Sequence, residues 1–211
     1  MTAMLKGALV AMVALMVLGA LAGIVFLKAT GLSARATPGA LETRVARAMR
    51  GLAVPGEYRG LANPVLRNDE SVRNGMEHFA DHCAACHAND GSGNTGMGKG
   101  MFPPAPDMRA SATQNLSDAE LFYVIEQGIR FTGMPAWGTG TVAGEEASWH
   151  LVHFIRRLPD LTPAEVEEMA AMNPRPPAEI RQEIDAERFL RGEDVTPQAA
   201  PADQSHGAGH D

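Results

Sequence analysis

The stretch that decides the fold is "HFADHCAACHAND", His78 to Asp90. It holds both cysteines of the 211-residue chain and three of its seven histidines. Cys83-Ala84-Ala85-Cys86-His87 has three chemical readings: zinc, a redox disulfide and covalent haem. A structural zinc site pairs C-x-x-C with a second knuckle, and no second cysteine pair exists here. His78 and His82 precede Cys83 on the same helical pattern, so they close a tetrahedron poorly. A thioredoxin-like disulfide needs a βαβ context, which the chain lacks. C-x-x-C-H as a haem attachment site is the reading that survives. Two thiols then add across the two porphyrin vinyl groups, and the next residue, His87, offers a neutral imidazole to the iron.

The segments around that stretch give a physical reason for a large cofactor. "NDESVRNGMEHFADHCAACH" opens with cap-type residues and places Val72, Met76, Phe79 and Cys83 at helical spacing. The following "ANDGSGNTGMGKGMFPPAPDM" carries Gly91, Gly93, Gly96, Gly98 and Gly100, then Pro103, Pro104 and Pro106. That composition predicts an extended loop with neither helix nor central strand. "LSDAELFYVIEQGI" predicts a helix with Ser117 as N-cap and Glu120 completing a capping box. "RFTGMPAWGTGTVAG" reads as loop, and "EEASWHLVHFIRRL" as a helix that Pro159 ends. Residues 68–160 thus offer three helices and two long loops, too little to fill a core unless a planar group supplies the missing interior.

Outside that part, Gly7 to Leu27 carries no charge and is flanked by Lys6 and Lys28. At helical rise the run spans roughly 30 Å, one hydrocarbon core. Ala34-Arg35-Ala36 resembles a cleavage site, but the apolar run exceeds a signal-peptide core, so an uncleaved anchor over residues 1–29 is expected. Residues 30–67 form a basic juxtamembrane linker. Within it, Arg44, Arg47 and Arg50 oppose Leu41, Val45, Ala48 and Leu52, the pattern of a short amphipathic helix on an anionic bilayer. Beyond Asp160, Thr162 and Pro163 start another helical pattern, and "AEIRQEIDAERFLRG" a second. Residues 161–192 are expected as an exposed helical extension, and 193–211, with His206 and His210, as a disordered tail.

Charge divides the chain. Residues 1–67 carry net +6, 68–160 net −6 and 161–211 net −7. The acidic haem-type part argues against nucleic acid, whose phosphates need Lys and Arg. It suits solubility, or docking to a basic patch on a redox protein.

Residues 68–160 resemble the class I c-type cytochromes. They are most similar to the monohaem domains of C-family haem–copper oxidase subunits and of dehydrogenase cytochrome subunits. The resemblance rests on "GMEHFADHCAACH", "FPPAPDM", "LSDAELFYVIEQGIRFTGMPAWG" and "WHLVHFIRRL". It implies one haem c attached at Cys83 and Cys86, with His87 as one axial ligand. It also implies Met134 in "TGMPAW" as the other, with Met97, Met101, Met108, His150 and His153 as rivals. Thioether ligation favours Fe(II) and suits electron transfer.

The family's Pro-x-Leu, whose carbonyl takes the ring N–H of the proximal histidine, matches Pro106-Asp107-Met108, with Met in place of Leu. Gly75, Phe79, Leu151 and Phe154 match its crossing of first and last helices. The fold class implied is all-α, a cytochrome c-like haem domain with long loops behind one N-terminal transmembrane helix. The function implied is a non-enzymatic, membrane-tethered electron carrier of a respiratory chain, or a fixed cytochrome subunit of a dehydrogenase or terminal oxidase. Its partners are then membrane respiratory complexes.

Family haem attachment takes place on the periplasmic face of a bacterial-type cytoplasmic membrane. Lys28, Arg35, Arg44, Arg47 and Arg50 beyond the span oppose that orientation under the positive-inside rule. A folded domain behind a long anchor translocates despite such flanks.

Overall fold

The computed structural model describes residues 3–193. Among the described residues there is no strand. α1 (Ala3–Thr30) is long and apolar enough to cross a membrane, with mean hydropathy 2.8 over its best window and none of that window buried. α2 (Ala40–Ala53) follows, and its three arginines and apolar residues fall where the sequence pattern puts them.

The haem-type part begins at α3 (Asp69–His78). Asn68 caps it, its side-chain oxygen accepting from the Ser71 N–H at 2.7 Å. The expected single helix through the cysteines is interrupted. Phe79–Cys83 winds as a π-type turn, and α4 (Ala84–His87) resumes the α-helical pitch. Such widened turns insert one residue and re-aim the side chains after them, often at functional sites.

The glycine-rich loop is not wholly extended. One helical turn, α5 (Gly96–Lys99), forms where the Thr95 hydroxyl accepts from the Gly98 N–H, and a second short turn, α6 (Ser111–Gln114), follows the prolines. α7 (Asp118–Gln127) has the expected Ser117/Glu120 capping box, with the Glu120 carboxylate accepting from Ser117 N at 2.7 Å. α8 (Val142–Arg157) starts three residues earlier than the sequence pattern indicated, because Thr141 caps it.

α3 and α8 cross at a point that only glycine permits. A Cβ on Gly75 would stand 2.2 Å from the His150 carbonyl oxygen. Backbone against backbone, the helices bury Phe79 on Phe154, with ring centroids 5.1 Å apart. Phe122 stacks on Trp149 at 4.0 Å. Phe79, Phe154, Val152 and Leu158 are at most 1 % exposed.

Two segments expected at the periphery belong to this core. α9 (Pro163–Met172), placed by the Thr162/Glu165 capping box, lays a fully buried Met169 under α3 and ties to it through Arg73–Glu168 at 2.8 Å. The compact unit therefore runs to Asn173 rather than leaving 161–192 exposed throughout. The second unit contains α10 (Pro177–Leu190), which has no buried residue.

The end of the linker also docks. Tyr58 packs edge-on against Tyr123 at 4.9 Å, and Asn63 Nδ2 donates to the Trp149 carbonyl at 3.2 Å. The expected tail, with His206 and His210, lies outside the described residues.

Candidate functional site

The π-type turn and α4 present Cys83, Cys86 and His87 together at the end of the α3 frame. Both thiols are free and partly exposed. The Cys83 sulfur is nonetheless enclosed by its surroundings. Burial first, and then the neighbouring Cys86, push its pKa up to about 12.

His87 is built as a neutral base. Burial pushes its ring below the ordinary histidine range, and the Pro106 carbonyl pulls it partly back. Nδ1 is buried and has no partner that meets hydrogen-bond geometry. The Pro106 carbonyl is near enough to raise the ring's proton affinity. A buried ring nitrogen left unpaired is costly. Its position beside a backbone carbonyl suits an imidazole that turns Nδ1–H to protein and its other nitrogen to a metal. In this respect the residues fit a haem.

The glycine loop folds back over this turn. Gly93 N–H donates to the His87 carbonyl at 2.8 Å, and the Thr95 hydroxyl donates to the Cys86 carbonyl at 3.1 Å. Gly93 has φ +71°, and a Cβ there would meet the Ala105 carbonyl oxygen at 2.4 Å. The loop is thereby pressed against the Ala105-Pro106 backbone, which sets Pro106 beside His87. Met108 N–H closes the far side on the Gly91 carbonyl at 2.8 Å.

Met134 sits in the loop between α7 and α8, held by backbone and hydroxyl bonds. Its N–H donates to Thr132 Oγ1 at 3.1 Å, and its carbonyl accepts from Ile129 N–H at 3.1 Å. Three residues on, the half-buried Trp137 stands edge-on to His82 at 5.5 Å, next to Cys83 in sequence. The loop carrying Met134 therefore lies against the cysteine turn.

The rivals divide. Met101 shares the neighbourhood: a Cβ on Gly133 would fall 2.0 Å from its sulfur. Met97 is exposed, and Met108 packs on the core. His153 is buried, its Nε2 2.8 Å from the Val65 carbonyl oxygen and 3.1 Å from Asn63 Nδ2, which removes it as a ligand. His150 lines an open cavity of about 580 Å³ with His78 and His82. Among the described residues no group of three metal-ligating side chains is present, so that histidine wall is not a preformed metal site. Arg130 is exposed.

Three supports escaped the sequence reading. Thr132 carries a plain hydroxyl in a loop, and only the fold aims it at Met134. Asn63 lies far from α8 in sequence. Glu126 is buried, with the Ser148 hydroxyl donating to it at 2.5 Å, and its backbone carbonyl accepts from Gly138 N–H at 3.1 Å. Nothing in the sequence around Glu126 marks it as buried.

The family model described as cytochrome c oxidase, cbb3-type, subunit III matches residues 70–155, less than half of the chain. No curated protein matches it.

Proposed function

We propose that residues 70–155, which match the cbb3-type oxidase subunit III family model, form a class I c-type cytochrome domain, and that the chain is a membrane-tethered monohaem cytochrome that passes single electrons in a respiratory chain. The observation that carries this reading is the buried, unpaired Nδ1 of His87 beside Pro106 at the one C-x-x-C-H of the chain.

Haem c, when bound, supplies an iron that cycles between Fe(III) and Fe(II). Cys83 and Cys86 would tether it through thioethers. His87, its ring pushed below the ordinary histidine range by burial, would hold the iron through a ring nitrogen, with the Pro106 carbonyl beside the ring. Met134, on a loop braced by Thr132, would offer its thioether to the same iron. The chemistry such a group would supply there is one-electron exchange. α1 anchors the domain, which sits on the periplasmic side.

The match to an oxidase subunit favours a second reading, a fixed cytochrome subunit of an oxidase or dehydrogenase. Purification from native membranes in mild detergent separates the two. A carrier emerges alone, whereas a subunit co-elutes with redox partners in fixed ratio.

Haem stoichiometry tests the site itself. Denatured protein retains one haem per chain, and Cys83→Ala with Cys86→Ala releases it. Met134→Ala keeps the haem on the chain but loses the near-infrared Met-to-Fe(III) charge-transfer band. If Met101→Ala removes that band and Met134→Ala does not, the axial assignment passes to Met101.

A further inference from the structure

We propose that α2 is a second membrane contact: it lies along an anionic bilayer surface with Leu41, Val45, Met49 and Leu52 in the lipid, and holds the haem domain on its polar side. The inference rests on α1 spanning the membrane.

The argument starts from what α2 leaves uncovered. No α2 residue is buried, and Leu41, Met49 and Leu52 are 76 %, 63 % and 77 % exposed. With Val45 and Ala48 these side chains gather on one side of the helix at 3.6 residues per turn. Four large apolar groups in one stripe on a soluble surface call for an occupant.

The protein itself grips the opposite side and the far end. Arg50 is half-buried, close enough to Glu120 of α7 to feel its charge. Val54, just past the helix, is 3 % exposed. Arg59 ties off the C-terminal carbonyls, with Nε donating to Val54 O at 2.9 Å and Nη2 to Leu52 O at 3.1 Å. The apolar stripe thus points away from the domain rather than toward an unfilled part of it.

What covers the stripe follows from its position and charge. Nine residues separate Thr30, the end of α1, from Ala40. Even fully extended they reach only about 30 Å. α2 is therefore confined near the surface that α1 leaves. Arg44 and Arg47 lie beside the stripe at helical spacing, Lys28 and Arg35 precede the helix in the chain, and Glu42 is the one acid of the helix. A stripe of Leu, Val and Met with arginines beside it suits an interface containing anionic headgroups. The same arginines also account for the excess of basic residues after the span. On this reading they serve lipid binding, on whichever side of the membrane the domain lies.

The test is amide hydrogen exchange on the full-length, haem-loaded protein in lipid nanodiscs. One set contains phosphatidylcholine only, the other one third phosphatidylglycerol. The expected result is protection of residues 40–53 that deepens at least fivefold with phosphatidylglycerol. The variant Leu41→Asp, Met49→Asp, Leu52→Asp is expected to lose that protection about tenfold or more, with α8 amides and haem content unchanged.

If α1 amides themselves exchange freely, the membrane anchor is refuted along with this inference. If α1 stays protected while α2 exchanges equally in wild type and variant, the anchor stands and α2 as a lipid contact is overturned. Protection that ignores lipid charge overturns the anionic surface as its partner. Should the triple variant fail to load haem, Met49→Asp alone, at an exposed position, gives the same comparison.

Discussion

The α3/α8 crossing and the Met134 loop keep their shapes by different means. At the crossing, large side chains at most 1 % exposed interlock around Gly75. In the loop, Met134 is partly exposed, and its backbone is held by Thr132 and Ile129. Packed cores tolerate almost no displacement, whereas a loop held by a few hydrogen bonds of about 1 kcal/mol each opens locally. The half of the site on the crossing carries Cys83, Cys86 and His87; the half on the loop carries Met134. If His87 and Met134 hold a haem iron as proposed, such a division would make one ligand rigid and the other adjustable.

The sharpest way to break the rigid half is Gly75→Val. Its Cβ would collide with the His150 backbone, which cannot give way as a flexible side chain does. We expect a loss above about 3 kcal/mol and little or no folded, haem-bearing protein. A variant that melts within a few degrees of wild type would show that the helices are not in backbone contact.

Next in size is Asn63→Ala. It strips a donor from the Trp149 carbonyl and from His153, both on α8, and should cost about 1–2 kcal/mol in chemical denaturation. A null result would return residues 54–67 to the status of a free linker.

Asn63 also shows where sequence reasoning stops. The C-x-x-C-H turn, the Ser117/Glu120 capping box and the Thr162-Pro163 helix start are local patterns, each specified within a few residues, while the Gly75 crossing came only through the family resemblance. They were legible, and with them the all-α fold. Asn63 meets His153 across 90 residues of chain, and Met169 reaches the core only because α9 folds back on α3. No local pattern encodes such returns. The π-type turn was hidden for another reason: Phe79 and Cys83 keep ordinary helical spacing, and only the bonding shows the widened winding. Among the site residues, the placement of the Met101 sulfur beside Gly133 was equally invisible.

The adjustable half is sharpened by Thr132→Val. This removes the acceptor of the Met134 N–H and the donor to the Ile129 carbonyl, bonded at 2.7 Å. Global stability should fall by only about 1 kcal/mol. The Met134 N–H should exchange markedly faster, and on the proposed ligation external imidazole should displace the thioether more readily. Unchanged imidazole binding would mean that haem contacts, not Thr132, hold the loop.

A smaller effect distinguishes the clamp on the glycine loop. Asp107 lies below the ordinary carboxylate range because Arg109 hydrogen-bonds it. Burial raises Asp90, but bonds from Ser92 and the charge of Arg109 outweigh that and leave it lowered too. For depressed acids the sign is fixed: their contribution is complete above the unfolded value near pH 4 and is lost as pH falls through the lowered values. Arg109→Ala should therefore flatten the acid limb of the stability curve below about pH 4 and change little at pH 7, since the cluster is largely solvated. An unaltered acid limb would assign that limb to other carboxylates.

The smallest expected change tests whether the Met134 loop holds strain of its own. Phe131 has φ +61° and is 91 % exposed, so its ring gains almost nothing from packing. A bulky side chain in the left-handed region costs about 1 kcal/mol, and asparagine tolerates that region better. Phe131→Asn should then stabilise the protein by less than about 1 kcal/mol and leave the Met134 signature intact. The crossing offers no such gain, because its one special backbone position is already glycine. A clear loss of stability on Phe131→Asn would mean that the ring is covered in the haem-bearing protein. In that case the loop is held by side-chain packing after all, and the contrast between the two halves of the site disappears.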